Sequence, residues 1–439
     1  MSIKVTYENL QIDNDYIDAK VTESLVRDIS WGTYTEDLKS IAKKHPNYIE
    51  KVKLYEPKIE PRFNAVTEGK FALTFKDEMF DLDSEGIDHF IATIAGDVLA
   101  YRGIKKIQVK DFEFDEQIYS NFFSGPKYGI AELYNNFFKK TLKGVERPIL
   151  AFSVKPRLGL NENEYGLIYE MAAKGGVDLI EDDERLIDPI YCRFESRAKV
   201  MASIQSKYNS KFSINITGPI DKMKNRIDFV AALGLNFVKV DVLVTGFDSL
   251  REVSRYIQEK TYDIAITCYP DISNSYRNLS KEFIIKMARL CGADIIYTST
   301  PNWSRVGTDF DETEYYKNLQ NIERKLESHK ILLEPIGSSS IKTSLPTISN
   351  GCNISHAELI QSVYKKIFNI SDKYAFFVGG GISDYPKGDI ERAIKEWIAC
   401  MEYTAKKDLN DYKNYNYSDR EALEDNNIRL FNLEKELKI

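Results

Sequence analysis

Gly175-Gly176-Val177-Asp178-Leu179-Ile180-Glu181-Asp182-Asp183-Glu184 sets two glycines before a short apolar run and four successive carboxylates after it. A strand that ends in acids at the mouth of a barrel can hold a hard divalent cation, because Mg2+ prefers oxygen ligands. Acids also favour helix N-termini, where they meet the positive end of the helix dipole, and a loop leading into a helix carries the same pattern. Which reading applies depends on where the run lies in the fold.

Working outward, the texture of the chain changes at Pro148. From there apolar, strand-like runs recur at 149–154, 177–180, 212–216, 237–244, 263–267, 294–298, 345–348 and 374–378, with helical patterns between them. Eight strand–helix units in about 250 residues is the size of a (β/α)8 barrel. Near-continuous apolar strands are what a parallel sheet covered by helices requires. A doubly wound open sheet is the competing architecture. The acidic run then closes the second barrel strand. Before the barrel, residues 1–145 mix strands near 51–55, 70–74 and 104–111 with a helix over 87–99, which reads as an α+β, ferredoxin-like domain. The barrel domain takes residues 146–439 and includes terminal helices, the best candidate being 422–437.

Composition narrows the classes. Of 439 residues, 43% are hydrophobic and 29% charged, with a net charge of −7, which gives no sign of a nucleic-acid partner. No apolar run reaches the roughly 18 residues of a membrane span, and the first residues lack a signal-peptide core. Five scattered cysteines without a CxxC pair point to reduced thiols and a cytoplasmic location. Only four histidines occur, which argues against a histidine-based zinc site or a catalytic triad.

Barrel active sites lie at the C-terminal ends of the strands. The polar residues there are Lys155 and Arg157, then Glu181, Asp183 and Glu184, then Thr217, Asp241, Thr267, Tyr297 and Ser349. The last two loops carry Gly351 and Gly379-Gly380-Gly381. Glycine lets backbone N–H groups approach phosphate oxygens closely, and loops after strands seven and eight commonly build such a site. A sharp turn after a strand is the plainer explanation. Lys155 follows a strand and precedes a proline. In a dry barrel mouth it would tend to lose its proton and serve as a general acid or base; alternatively it forms an ordinary ion pair with the nearby acids.

These residues also match a family. Lys155-Pro156-Arg157-Leu158-Gly159-Leu160 followed by Gly175 to Glu184 resembles two segments of the RuBisCO large subunit, KPKLGL and GGLDFTKDDE, at the same spacing. Gly32-Thr33-Tyr34, Ala95-Gly96-Asp97-Val98, Phe123-Ser124-Gly125-Pro126, Asn215-Ile216-Thr217-Gly218, Thr245-Gly246-Phe247, Ser349-Asn350-Gly351 and Phe377-Val378-Gly379-Gly380-Gly381 continue the likeness, in order, over nearly the whole chain. The resemblance implies an α+β domain followed by the barrel. It implies a Mg2+ site, with Asp183 and Glu184 as two ligands. It implies a phosphate site at Thr33, Gly351, Gly379 and Gly380. It further implies at least a homodimer, in which Thr33, Tyr34 and Asp97 of one subunit complete the barrel mouth of the other.

The departures are specific. Glu181 stands where the family carries the lysine that CO2 converts to a carbamate. The strand-five histidines and phosphate-binding arginine are replaced by Ala265-Ile266-Thr267-Cys268, and the strand-six histidine by Tyr297. The mobile loop reads Ser299-Thr300-Pro301-Asn302-Trp303-Ser304-Arg305 and keeps no lysine. Asp97 replaces an asparagine beside the metal. One phosphate site is thus retained and the other lost. The resemblance is to a RuBisCO-like protein (form IV). Such members enolise, isomerise or decarboxylate sugar monophosphates. The implied roles are Lys155, Asp97 and Arg157 in catalysis, Asp183, Glu184 and Glu181 around Mg2+, and Tyr34, Thr267, Tyr297 and Ser349 on substrate. A decarboxylase of a 3-oxo sugar-acid phosphate and a non-catalytic binding or regulatory protein are the alternatives.

Overall fold

The computed structural model describes residues 2–12, 26, 29–30, 44–60, 69–96, 104–144, 146–270, 278–298, 322–323, 326–337, 340–349, 352, 354, 357–370 and 372–406. The expected helix at 422–437 lies outside them.

The N-terminal part is an antiparallel sheet of β1 (Ser2–Ile12), β2 (Lys58–Glu60), β3 (Phe71–Lys76) and β4 (Ile104–Phe114), in the order β2-β3-β1-β4. Its centre is β1, where Ile3, Val5 and Tyr7 alternate with solvent-side residues and are buried. This period-two pattern places one face on a core, which holds Phe90 of the helix Asp88–Ala95 against Phe112 and Phe114. The expected strand at 51–55 is instead the end of a helix, Pro46–Tyr55, opened by Pro46 in its first turn. That helix is mostly exposed, so the alternation of Lys51-Val52-Lys53-Leu54 reflects no buried sheet face.

The barrel strands are β5 (Ile149–Ser153), β6 (Leu179–Glu181), β7 (Lys211–Asn215), β8 (Phe237–Asp241), β9 (Ala265–Tyr269), β10 (Ile295–Tyr297), β11 (Leu345–Ile348) and β12 (Ala375–Val378). All neighbours pair in parallel, and β12 returns to β5 to close the ring, which rules out the open sheet. Alternate strand residues divide between two cores. Leu150, Phe152, Ile180, Val238 and Ile266 face the surrounding helices. Ala151, Leu179, Phe237, Ala265, Ile295 and Phe377 face the barrel axis. Phe137 meets Phe237 edge-on at 4.9 Å and Phe138 lies tilted against it at 5.5 Å, so the segment 130–142 closes the N-terminal end of the barrel. The opposite end is left for the site.

The sheet is fixed to the barrel through the helix Lys281–Leu290. Phe283 meets Phe112 edge-on at 4.9 Å, Lys286 pairs with Asp111 at 2.9 Å, and the Ser280 backbone N–H donates to the Val109 carbonyl at 2.9 Å.

Candidate active site

The acidic run at the end of β6 does not act as one cluster. Its carboxylates divide three ways: Glu181 inward, Asp182 outward, and Asp183 with Glu184 at the mouth. Asp182 points outward, where it accepts from Arg197 Nε at 3.0 Å, the Tyr169 hydroxyl at 3.0 Å and the Asn215 backbone N–H at 3.1 Å. It ties β6 to the helix Phe194–Gln205 that carries Arg197.

Asp183 and Glu184 stand at the barrel mouth. Lys155 Nζ donates to Asp183 Oδ2, and Arg157 Nε lies 3.0 Å from the same oxygen. Arg185 Nη1 donates to Glu184 Oε1 at 2.6 Å. Burial works to raise the Asp183 carboxyl, but Lys155 first, then the Arg185 backbone N–H and the Arg157 guanidinium, hold it below its ordinary value. The Asn215 side-chain amide donates to the Asp183 and Glu184 carbonyls at 3.2 and 3.0 Å and fixes the loop. Lys155 therefore forms an ion pair. It also lies against the last strand's loop: a Cβ added to Gly379 would meet Lys155 Cε at 3.0 Å and the Ser153 carbonyl at 3.3 Å. Glycine at 379 is what lets that loop approach the lysine.

Glu181 faces the barrel axis and is fully buried. Lys239 Nζ, also buried, donates to its Oε1 at 2.8 Å and to the Asp182 carbonyl at 3.1 Å. The Tyr297 hydroxyl donates to the same Oε1, and Ser153 Oγ lies 3.2 Å from that hydroxyl. The Lys239 ammonium sits 5.0 Å from the Tyr269 ring centre and 5.2 Å from that of Tyr297, which stacks edge-on upon Phe377 at 4.7 Å. Glu181, Lys239, Tyr297 and Phe377 come from alternate strands β6, β8, β10 and β12 and form one interior layer of the kind barrels build. Burial alone would depress the Lys239 ammonium, but Glu181 outweighs it and holds the lysine above its ordinary range.

Thr267 lies fully buried with Ser213 Oγ 3.3 Å from its hydroxyl, and Ser349 is likewise buried. The chain positions expected at the partner-facing side of the site, Thr33, Tyr34 and Asp97, lie outside the described residues, as do Gly351 and the loop 299–305.

A family model, "Ribulose bisphosphate carboxylase large chain, catalytic domain", matches residues 136–427. The chain belongs to the RuBisCO large-chain family. A ribulose bisphosphate carboxylase of Thermococcus kodakarensis is 26% identical over 355 residues, covering 77% of this chain and 76% of its own length. The octameric Rubisco of Pyrococcus horikoshii superposes with a TM-score of 0.72 at 20% identity, covering 97% of this chain and 93% of that one. The dimeric archaeal Rubisco of Hyperthermus butylicus superposes with a TM-score of 0.70 at 25% identity, covering 96% and 95%.

The RuBisCO family generally uses Mg2+. Among the described residues, no group of three or more His, Cys, Asp or Glu side chains is placed to hold a metal ion. Glu181, Asp183 and Glu184 do not converge, because Glu181 is turned to Lys239 while the other two face Lys155, Arg157 and Arg185. A dication bound at Glu181 would lie about 5 Å from the Lys239 ammonium, a repulsion on the order of 6 kcal/mol at an effective dielectric constant near 20. The three-carboxylate set of the family does not fit this chain as folded.

Sequence reasoning missed Lys239. Its signal was available: a lone lysine inside the run Phe237-Val238-Lys239-Val240, two residues from Phe237 and therefore on the axial face. A charge at such a place needs a partner, and Glu181 lies on the same face two strands away.

Proposed function

We propose that this chain is a RuBisCO-like protein that binds a sugar carrying one phosphate at the C-terminal end of the barrel and enolises or isomerises it without fixing CO2. The observation that carries the reading is the environment of Glu181. Residue 181 is itself a carboxylate and carries no amine to form a carbamate, and the nearby Lys239 nitrogen is held as an ammonium by that carboxylate. The glycine loop at Gly379 and Gly380, together with Thr33 and Gly351, would take the phosphate. A carbonyl beyond it would then face Lys155. Removing a proton from the neighbouring carbon leaves an enediolate. The Lys155 ammonium and the Arg157 guanidinium would stabilise that charge. The base that takes that proton would be Lys155, once its own proton has passed to solvent, or Asp97.

The test is solvent deuterium exchange followed by proton NMR on a panel of ketose and aldose monophosphates. Exchange beside the carbonyl is expected, with a loss of 100-fold or more in Lys155→Met, in line with the usual worth of a positioned acid or base. Ribulose bisphosphate with labelled bicarbonate should give no labelled acid; incorporation would defeat the proposal. Release of CO2 from a 3-oxo sugar-acid phosphate, without exchange in any sugar, would replace it with the decarboxylase reading. Ligand-induced thermal stabilisation without turnover of any kind would make the protein a binding module.

A further inference from the structure

We infer that Lys239 takes the place of a divalent cation at the centre of this barrel: its ammonium is the permanent counter-charge of Glu181, and Glu181 takes no metal ion while Lys239 is present. The inference does not depend on the sugar-phosphate reading, since it concerns what the interior layer holds and not what is turned over above it.

Four observations meet on the lysine. Its side chain is buried, as is that of Glu181, so neither charge is dispersed into water. Its hydrogens have defined receivers: Glu181 Oε1 at 2.8 Å, the Asp182 carbonyl at 3.1 Å, and the faces of Tyr269 and Tyr297, with ring centres at 5.0 and 5.2 Å. Two oxygens and two aromatic faces suit an ammonium. They do not suit Mg2+, which demands near-octahedral oxygen coordination. The Tyr297 hydroxyl donates to the same carboxylate oxygen, so Oε1 already serves two donors. Glu181 Oε2 has no hydrogen-bond partner among the described residues. It is a single oxygen of a neutralised pair, suited to a hydroxyl or water donor and repellent to a dication beside the ammonium. The pair also has a structural logic. A carboxylate placed in a dry interior layer needs a compensating charge, and a lysine two strands away provides one that cannot dissociate.

The test begins on the unmodified full chain. Crystals soaked in millimolar Mn2+ are examined by anomalous diffraction. The expected map has no manganese peak within coordination distance of Glu181; a peak there overturns the inference. The second arm removes the lysine while keeping volume, Lys239→Met, and reads the thermal midpoint in Mn2+ against EDTA. The variant should become stabilised by Mn2+, with a midpoint rise of several degrees that the double variant Lys239→Met, Glu181→Gln does not show. A folded Lys239→Met protein indifferent to Mn2+ would show that the lysine is not what keeps metal away, and would also overturn the inference. Should Lys239→Met fail to fold, the anomalous map of the unmodified protein decides alone.

Discussion

Asp294 precedes β10 at the closed end of the barrel and is fully buried. It accepts from the backbone N–H groups of Tyr128 and Ile266 at 2.7 Å each, and so joins the chain entering the barrel to two of its strands. Unlike Glu181, Asp182 and Asp178, it has no cation in hydrogen-bond contact among the described residues; Asp178, for comparison, receives Arg147 at 2.6 Å. Burial therefore dominates, and pushes the Asp294 carboxyl up to about 7 against those two N–H donors and the more distant Lys127 and Lys342. A carboxyl raised in the native state binds its proton more readily there than in the unfolded chain. Its contribution to stability therefore falls as pH rises from about 4 to about 7 and stays level above that. Asp294→Asn removes the ionisation. The urea midpoint of the variant should change less between those two pH values than that of the native protein. Equal slopes would show that Asp294 stays ionised throughout.

At the scale of elements, the two glycines before β6 have different physical causes. Gly176 ends the helix Glu162–Gly175 in the left-handed region, at φ 86°, where a side chain is strained. Gly175 lies at a close crossing: a Cβ there would meet Ile394 Cβ at 2.8 Å and the Glu391 backbone carbonyl at 3.0 Å in the helix Ile390–Lys406. Because a backbone oxygen is one of the two obstacles, the helices must separate. Gly175→Ala should cost about 1–3 kcal/mol of unfolding free energy by urea titration; an unchanged midpoint would show that the crossing can open freely. The same packing explains what the sequence discloses. All eight barrel strands could be placed, because each is walled by helices on one side and by the axial layer on the other, leaving an apolar run. Three features escaped. β1 carries only an alternating pattern, Ile3, Val5 and Tyr7, with no continuous apolar run, and β2 is only three residues long. The helix at Pro46–Tyr55 has no buried stripe to distinguish it from an exposed strand. In the site, Lys155 and Asp183 were legible because both end a strand, and the structure brings them together. The split of Glu181 from Asp183 and Glu184 was not, because it depends on Lys239, 58 positions further along the chain.

The whole molecule poses a question of completeness. The described barrel mouth brings together Lys155, Arg157, Asp183, Glu184 and Gly379, while the N-terminal sheet of the same chain docks along the flank of the barrel on the helix Lys281–Leu290. Loops leaving the C-terminal ends of β5, β6 and β8 expose large apolar side chains: Leu158 at 61%, Ile190 at 82% and Val244 at 67%. A protein seated over the mouth would bury these three side chains. The structural relatives named above are octameric and dimeric. A second copy of this chain is the partner proposed here, bringing its own Thr33, Tyr34 and Asp97 to the mouth. Light scattering of the purified protein at micromolar concentration should give a mass of at least two chains. The double substitution Ile190→Glu, Val244→Glu places two carboxylates in the proposed contact and should shift the mass to one chain while the far-ultraviolet circular dichroism is unchanged. Deuterium exchange into the sugar phosphate should fall with it, since a monomer would lack the residues supplied across the interface. A native protein that is monomeric and fully active would place Thr33, Tyr34 and Asp97 outside the working site, and the mouth would then be complete within one chain.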